Sequence, residues 1–249
     1  MADYSTLCAQ LPASIECFVL DSVDSTNDYL SQITPSTNPQ VCVASEQTSG
    51  RGQYERVWVS SKDSSVILSI RRRFPTHRAL NGLSLVVGLS IVKVLDSIGV
   101  GQAQLKWPND VYVGGQKLSG VLIENTVQSQ SQYPVIGIGL NNQLSGDDIA
   151  TPWTDLAQLL GAPQELSALS ASIIKQVLSD CERFEQQGFG AFQADYQDKD
   201  YLFGKQLSVQ YQDQQTIGQA SGIHEDGALL IDSDNATLKV YSSEQIQLI

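Results

Sequence analysis

The sequence predicts a domain that mixes helices and strands, followed by a small β-barrel. Over residues 1–200, short apolar runs with strand character alternate with long helical patterns. After about Tyr201 the pattern changes to short strands separated by turn signals such as Asp226-Gly227. We therefore expect two domains, 1–200 and 201–249, the second of a size typical of small barrels.

Local patterns define the elements in order. Ser25 is suited to cap a helix that runs toward Leu30. Residues 81–98 are apolar on most helical faces and end at Gly99, which predicts a buried helix, and 167–187 form an amphipathic one. Strands are expected in the first domain at 41–44, 66–70, 105–107, 111–113, 117–123 and 134–140, and in the second at 206–211, 214–223, 228–232, 237–241 and 246–249.

Composition excludes several classes of protein. The chain carries a formal net charge of −12, which repels duplex DNA, so no nucleic-acid partner is expected. No apolar run approaches the roughly 18–20 residues of a membrane span, and residues 1–10 do not resemble a secretory signal, so a cytoplasmic protein is expected. The cysteines form no C-x-x-C pair, which favours reduced thiols over disulfides at Cys8, Cys17, Cys42 and Cys181.

The most informative motif is Lys-Trp-Pro-Asn-Asp at 106–110, followed by Lys-Leu-Ser-Gly at 117–120. Gly114-Gly115 predicts a hairpin between them, so Lys106 and Lys117 bracket one turn. Gly120 lies within a strand, where glycine often marks the close approach of a ligand. The alternative is a plain β-turn with exposed lysines.

Three further motifs are weaker signals, of which the first suits an anion and the second a nucleotide. Gly-Arg-Gly at 50–52 follows Gln47 within a long polar stretch, and its amides and guanidinium could converge on an anion, although it is not a Walker A loop. Gly-Ile-Gly-Leu-Asn at 137–141 ends a strand where an amide could pair with adenine. Asp-Ser-Thr-Asn at 24–27 begins a helix. Each also has a structural explanation: a surface loop, a strand end and a helix cap.

The chain lacks the residue patterns that two other classes of enzyme require, the zinc hydrolases and the serine hydrolases. His77 and His224 are the only histidines, and neither has zinc-ligand spacing. No G-x-S-x-G nucleophile motif is present. The one cationic run, 71–73 with Arg78 nearby, is expected to be a solvated strand end, or else a local contact with phosphate or an acidic partner.

The order of these motifs resembles the biotin–protein ligase family, from about Leu20 to the C-terminal barrel. The resemblance implies an α+β fold with a mixed-sheet catalytic domain and helices, plus a C-terminal SH3-like β-barrel. Repressor-type members carry an N-terminal helix-turn-helix domain, for which the 24 residues before Ser25 are too few. The short, ligase-only class is therefore expected.

The resemblance also implies a two-step reaction. The biotin carboxylate attacks the α-phosphate of MgATP, giving biotinyl-5'-adenylate and pyrophosphate. A lysine of the biotin carboxyl carrier protein of acetyl-CoA carboxylase then attacks the mixed anhydride. ATP, Mg²⁺ and biotin are implied as substrates without a tightly bound cofactor, and the enzyme is expected to be a monomer or a homodimer. Preorganised cations are the main catalytic device for such chemistry.

Residue roles follow from the same resemblance. Lys117 is the principal catalytic lysine, and Asp110 polarises the incoming lysine or orients Lys117. Lys106 and Arg51 add positive charge around the phosphates. The implied biotin-binding residues are Ser25, Thr26, Asn27, Gln47, Arg51, Gly52, Gln53, Lys117 and Gly120. The implied nucleotide-binding residues are Arg51, Trp58, Lys106, Asn109, Asn141 and Trp153. Metal ligands are not identified.

One departure from the family concerns the intermediate. After Gly-Arg-Gly the family commonly continues with basic residues, whereas this chain has Gln53-Tyr54-Glu55-Arg56. The loop is therefore expected to hold biotinyl-adenylate less tightly, which a comparison of leakage with Gln53→Arg would test.

Two alternative functions remain open for this chain: a lipoate–protein ligase and a non-catalytic biotin-sensing protein. The cationic run at 71–73 is a candidate patch for an acidic carrier.

Overall fold

A computed structural model describes Tyr4 and residues 6–144, 152–211, 214–234 and 236–249. Within these ranges a mixed eight-stranded sheet forms the larger part of the protein. Its strands are β1 Glu16–Leu20, β2 Gln40–Ala44, β3 Ser65–Arg71, β4 Phe74–Pro75, β5 Gln104–Lys106, β6 Asp110–Val113, β7 Gln116–Gln128 and β8 Ser131–Asn141. The order is β1-β2-β3-β8-β7-β6-β5, with β4 also pairing with β8. Among the named strands of this sheet, β1 and β2 pair in parallel and the other pairs are antiparallel.

Helices cover the sheet. They are α1 Leu7–Gln10, α2 Thr26–Gln32, α3 Leu83–Ser97, α4 Leu156–Leu160, α5 Leu166–Gln187 and α6 Gln193–Gln197. The hydroxyl of Ser25 accepts a hydrogen bond from the amide of Asp28 (3.4 Å) and caps α2 as predicted. The two long helices predicted from periodicity are also confirmed as α3 and α5. No helix among the described residues is both long enough and apolar enough to cross a bilayer.

The two faces of the large sheet differ because successive side chains of a strand point to opposite faces. Val66, Leu68 and Ile70 of β3 join the main core, in which α3 and α5 also take part. On the other face, Cys42 and Val135 pack against Leu30 of the short helix α2. Because α2 is only seven residues long, it covers part of that face and leaves room for a pocket beside it.

The C-terminal residues form a five-stranded antiparallel sheet. Its strands are β9 Gln206–Tyr211, β10 Gln214–Ile223, β11 Leu229–Asp232, β12 Thr237–Val240 and β13 Ile246–Leu248, in the order β12-β11-β10-β9-β13. No pairing joins β12 to β13 in the described part of the chain, so the predicted barrel is not closed. These edge strands have only four and three residues, which limits pairing between them. Leu207, Val209 and Ile231 share the main core with the large sheet.

The prediction of four reduced thiols was wrong for one pair. Cys8 and Cys17 form a disulfide between α1 and β1, with their Cα atoms 5.7 Å apart. The sequence hides this pairing because it depends on the turn that brings α1 back beside β1. Cys42 and Cys181 are free and buried, and burial raises the pKa of each thiol to about 12.

The expectation of a solvated strand end at 71–73 was wrong for Arg71, whereas Arg73 is exposed. Arg71 is buried and donates to Gln40 Oε1 and to three backbone carbonyls at the end of α2, and burial lowers its pKa. Arg72 points to the other face and pairs with Glu185 at 2.6 Å. Arg73 donates to Ser131 Oγ at 2.8 Å. The three arginines thus bond to different parts of the fold: the end of α2, α5 and the start of β8.

Candidate active site

A pocket of about 320 Å³ opens on the sheet face that carries α2. Glycines form its floor, and the side chains of Trp58 and Asn27 occupy the space directly above them. A Cβ at Gly139 would lie 2.3 Å from the ring of Trp58, and one at Gly120 would lie 3.1 Å from that ring. A Cβ at Gly137 would lie 2.5 Å from Asn27 Oδ1. The absence of side chains at these positions therefore lets a flat ring and polar groups approach the strands directly.

The structure brings every site residue predicted from the sequence to this one pocket. They are Ser25, Thr26, Asn27, Gln47, Arg51, Gly52, Gln53, Trp58, Lys106, Asn109, Asp110, Lys117, Gly120, Asn141 and Trp153.

One wall of the pocket is the hairpin wall, which we define as residues 106–120. Gly114 (φ 59°) and Gly115 (φ 79°) close the predicted hairpin between β6 and β7. Lys117 Nζ lies 2.7 Å from Asp110 Oδ1, with both side chains largely buried. Because both residues belong to paired strands, the backbone ladder fixes their separation.

Lys106 adds a second ammonium group to the hairpin wall. Its Nζ lies 3.3 Å from the hydroxyl of Tyr112 and 4.8 Å from the centre of that ring. Burial, together with the charge of Asp110, raises the pKa of Tyr112 to about 12, so the phenol stays neutral at physiological pH. The hairpin wall therefore presents two cations and one carboxylate to the pocket.

Two asparagines of the site are fixed by backbone groups. Asn109 Nδ2 donates to the carbonyl of Val121 (2.7 Å) and so ties the turn before β6 to β7. Asn141 Nδ2 donates to the carbonyl of Thr154 at 3.0 Å. Lys117 also exchanges backbone bonds with Pro152 and Thr154 at 2.9 and 3.0 Å, which places Trp153 beside it. The sequence around Trp153 matches the family motif only loosely. The pairing with Lys117 is what places Trp153 at the pocket.

The opposite end of the pocket is a compact polar cluster. Gln47 Oε1 accepts from both the amide (2.8 Å) and the hydroxyl (3.0 Å) of Thr26. The hydroxyl of Ser69 lies 2.7 Å from Thr26 Oγ1 and 2.6 Å from Asn27 Oδ1. Sequence reasoning missed Ser69, although a serine inside the apolar run 65–71 is a signal for a polar contact on one face of the strand. These bonds hold the cluster in one arrangement before any ligand binds.

Arg51 takes part in a second network that the sequence did not reveal. Its guanidinium lies 2.5 Å from Asp28 and 3.1 Å from Glu124, and Glu124 also accepts from Asn27 Nδ2 at 2.7 Å. Glu124 was missed because it lies beyond the motif, yet it shares a strand face with Gly120 at even spacing. Two carboxylates thus offset the charge of Arg51. In the ranges the structure covers, no group of three or more His, Cys, Asp or Glu side chains is placed to hold a metal ion.

The second wall of the pocket is the loop wall, which we define as residues 50–58. Three backbone bonds are seen within it: Trp58 N to Gly50 O at 2.9 Å, Gly52 N to Arg56 O at 2.7 Å and Arg56 N to Gln53 O at 3.3 Å. The Trp58 ring lies over the glycine floor, and Lys117 Nζ is 5.6 Å from its centre. This ring therefore links the loop wall to the hairpin wall.

Comparison with known proteins agrees with this geometry. A family model described as "Biotin/lipoate A/B protein ligase family" matches residues 19–141, which include all of the predicted site except Trp153. The bifunctional ligase/repressor BirA of Salmonella typhimurium is 32% identical over 236 residues, covering 92% of this chain and 73% of that protein. The chain belongs to the biotin/lipoate A/B protein ligase family. The family resemblance predicted from the motifs is thus confirmed.

Solved structures of the family extend the likeness to the C-terminal sheet. The biotin protein ligase of Aquifex aeolicus in complex with biotin and ATP has a TM-score of 0.80 and 26% identity, covering 94% of this chain and 98% of that one. The biotin–[acetyl-CoA-carboxylase] ligase of Mycobacterium tuberculosis is 27% identical over 214 residues, 84% of this chain and 79% of that protein. The predicted ligase-type fold, with its mixed sheet and C-terminal β unit, is confirmed.

Proposed function

We propose that the chain is an ATP-dependent biotin–protein ligase. It forms biotinyl-5'-adenylate and passes the biotinyl group to a lysine of the biotin carboxyl carrier protein of acetyl-CoA carboxylase. The observation that carries the proposal is the pairing of Lys117 with Asp110, beside Lys106, on a glycine-floored pocket. Preorganised cations of this kind stabilise the charge that develops during phosphoryl and acyl transfer.

In the first step biotin binds with its ureido ring at the polar cluster and its carboxylate toward Lys117. ATP, entering with Mg²⁺ as substrate, places its adenine among Trp58, Trp153 and Asn141. A biotin carboxylate oxygen attacks the α-phosphorus, and the bond from that phosphorus to the pyrophosphate oxygen breaks. The ammonium groups of Lys117 and Lys106 stabilise the negative charge on the phosphate oxygens.

In the second step the neutral amine of the carrier lysine attacks the carbonyl carbon of the anhydride and forms an amide bond. The bond from that carbon to the phosphate oxygen breaks, AMP leaves, and the amine proton is released to solvent. The 2.7 Å contact with Lys117 favours an orienting role for Asp110 over direct activation of the incoming amine. Positioning groups of this kind act by keeping the reacting atoms aligned. Asp110 thus holds Lys117 at one fixed place on the sheet.

The polar cluster favours biotin over lipoate. The side chains of Thr26 and Asn27 are buried and held by Gln47 and Ser69, which suits a planar ureido group with donors and an acceptor. An apolar dithiolane would leave the polar groups of this end without ligand partners, which costs binding free energy.

The test is an assay of Lys117→Ala with biotin, MgATP and a carrier domain, with adenylate formation and transfer read separately. We expect adenylate formation to fall by about a hundredfold or more because a preorganised cation is lost. Lys199→Ala is the matched control, since Lys199 pairs with Asp96 at 3.2 Å outside the pocket. Unchanged adenylate formation in Lys117→Ala would refute the assignment. Replacing biotin by lipoate in the same assay separates the two ligase activities.

We also propose a cytoplasmic enzyme that binds no nucleic acid and whose domains meet near residue 200. The net charge of −12 supports the absence of a nucleic-acid partner, since duplex DNA attracts basic surfaces. The change from the helices α5 and α6 to a purely β sheet after about residue 205 supports the second.

A further inference from the structure

Tyr54 has an unusual backbone conformation at the tip of the loop wall. Its φ is 56°, in the left-handed region that disfavours residues with a Cβ atom, and its side chain is about half exposed. The tyrosine hydroxyl nevertheless has a specific partner, because it lies 2.9 Å from Ser242 Oγ in the C-terminal sheet region, 188 residues away in sequence. Non-glycine residues in this conformation persist where surrounding contacts fix them.

Ser242 is itself held in place. It follows β12 and caps the short three-ten helix Ser243–Gln245, with its hydroxyl accepting from Glu244 N and its amide donating to Gln245 Oε1, both at 3.3 Å. The next residue, Ser243, lines the active-site pocket. The C-terminal sheet therefore reaches the pocket and meets the loop wall there.

We propose that the Tyr54–Ser242 contact holds the loop wall closed over the pocket, so that the C-terminal sheet helps to retain biotinyl-adenylate. Tyr54 and Ser242 are positioning residues, and they act through Trp58 and the neighbouring loop residues. The proposal rests on the proposed ligase function. It also bears on the expected effect of Gln53. The loop lacks a basic residue at position 53, and under this proposal the bond between the two neutral hydroxyls helps to hold it instead.

Stability and retention respond differently under this proposal. A hydrogen bond between two exposed hydroxyls adds little to the stability of the whole protein, because water satisfies both groups when it breaks. Loop closure, by contrast, controls whether a reactive intermediate leaves or meets water. Tyr54→Phe removes the contact and leaves the capping hydroxyl of Ser242 in place, so it should change the release of the adenylate and leave the melting temperature almost unchanged.

The experiment compares Tyr54→Phe, Ser242→Ala and Ser242→Thr with the unaltered full chain. Radiolabelled biotinyl-adenylate is formed on the enzyme and then chased with excess unlabelled biotin and ATP. We expect Tyr54→Phe and Ser242→Ala to release it about threefold to tenfold faster, in line with one neutral hydrogen bond. The rate of adenylate formation should stay nearly unchanged, Ser242→Thr should restore slow release, and the double variant should be no faster than either single one.

Tyr241→Phe is the matched control, since its hydroxyl bonds to Asp226 at 3.1 Å within the same sheet and not to the loop wall. Release at the unaltered rate from both Tyr54→Phe and Ser242→Ala would overturn the proposal, as would equal acceleration in Tyr241→Phe. Failure of the unaltered chain to form any adenylate would instead refute the ligase function, and this inference with it. The two failures are thus distinguishable in one assay.

Discussion

The hairpin wall and the loop wall line the same pocket but are built in different ways. The hairpin wall belongs to β6 and β7, whose backbone ladder continues into β8. The loop wall contains a three-residue helical turn and a single antiparallel bridge between Arg51 and Val57, and side-chain contacts such as those of Arg51 and Tyr54 join it to the rest of the protein. The groups proposed to stabilise the charge of the phosphates lie on the hairpin wall. The groups proposed to cover the intermediate lie on the loop wall.

The charges of the two walls follow the same division. On the hairpin wall, Lys117 has one carboxylate partner, and Lys106 contacts the neutral phenol of Tyr112. On the loop wall, two carboxylates surround Arg51. Positive potential for phosphates is therefore concentrated on the rigid wall, where it needs no rearrangement at the moment of reaction. Substitutions on this wall should affect the rate of the chemical steps, and substitutions on the loop wall should affect binding and retention.

The largest effect is expected where the rigid floor is filled. Gly139→Val adds a side chain in the space of the Trp58 ring, 2.3 Å from its nearest atom. A β-branched residue suits the strand, so the fold should survive while the ring and the ligand lose their place. Adenylate formation should fall by more than about a hundredfold, as expected when reacting groups are displaced by an ångström or more.

Gly101→Ala is the control for this substitution, since no atom lies within 4 Å of a Cβ at that position. It should retain full activity. Isothermal titration with biotin and circular dichroism would distinguish a filled pocket from a misfolded protein. Normal adenylate formation by a folded Gly139→Val protein would contradict the assignment of the floor.

A smaller effect is expected from Asp110→Asn, which removes the charge that orients Lys117. The two side chains are largely buried, so loss of this charge-assisted contact should lower kcat about twentyfold. The KM for biotin should change less, because Lys117 keeps its place on the strand. Steady-state kinetics test this split, with Asp96→Asn as the control because its pair with Lys199 is more exposed. A rise in KM with an unchanged kcat would assign Asp110 to binding instead.

Patterns local in sequence predicted the hairpin wall well. Gly114-Gly115 and its flanking apolar residues specify a hairpin within 15 residues, so the meeting of Lys106, Asp110 and Lys117 follows from strand pairing alone. The order of the motifs then predicted one site, and the structure brings those residues to one pocket. The amphipathic pattern likewise predicted α5 to within one residue at its start.

Local sequence patterns could not predict contacts between segments that are distant in sequence. Glu124 meets Arg51 across 73 residues, and Tyr54 meets Ser242 across 188. The burial of Arg71 depends on carbonyls at the end of α2, which no pattern near residue 71 reveals. Whether five short strands close into a barrel likewise depends on edge strands that are not neighbours in sequence. Tertiary partners, and not local propensity, decide these features.

The smallest effect is expected from Glu124→Gln, and it tests the division of roles between the two walls most directly. Glu124→Gln keeps the shape of the side chain but removes the charge that holds Arg51, leaving Asp28 as the remaining carboxylate partner of that arginine. Because these groups are partly exposed and screened by water, we expect the KM for biotin to rise only about fivefold with kcat nearly unchanged. Glu185→Gln is the control, since it loses a pair with Arg72 at 2.6 Å on the opposite face of the sheet. A fall in kcat without a change in KM would show that Glu124 supports the chemical step, and the division between a rigid catalytic wall and a loop wall for binding would then fail at this residue.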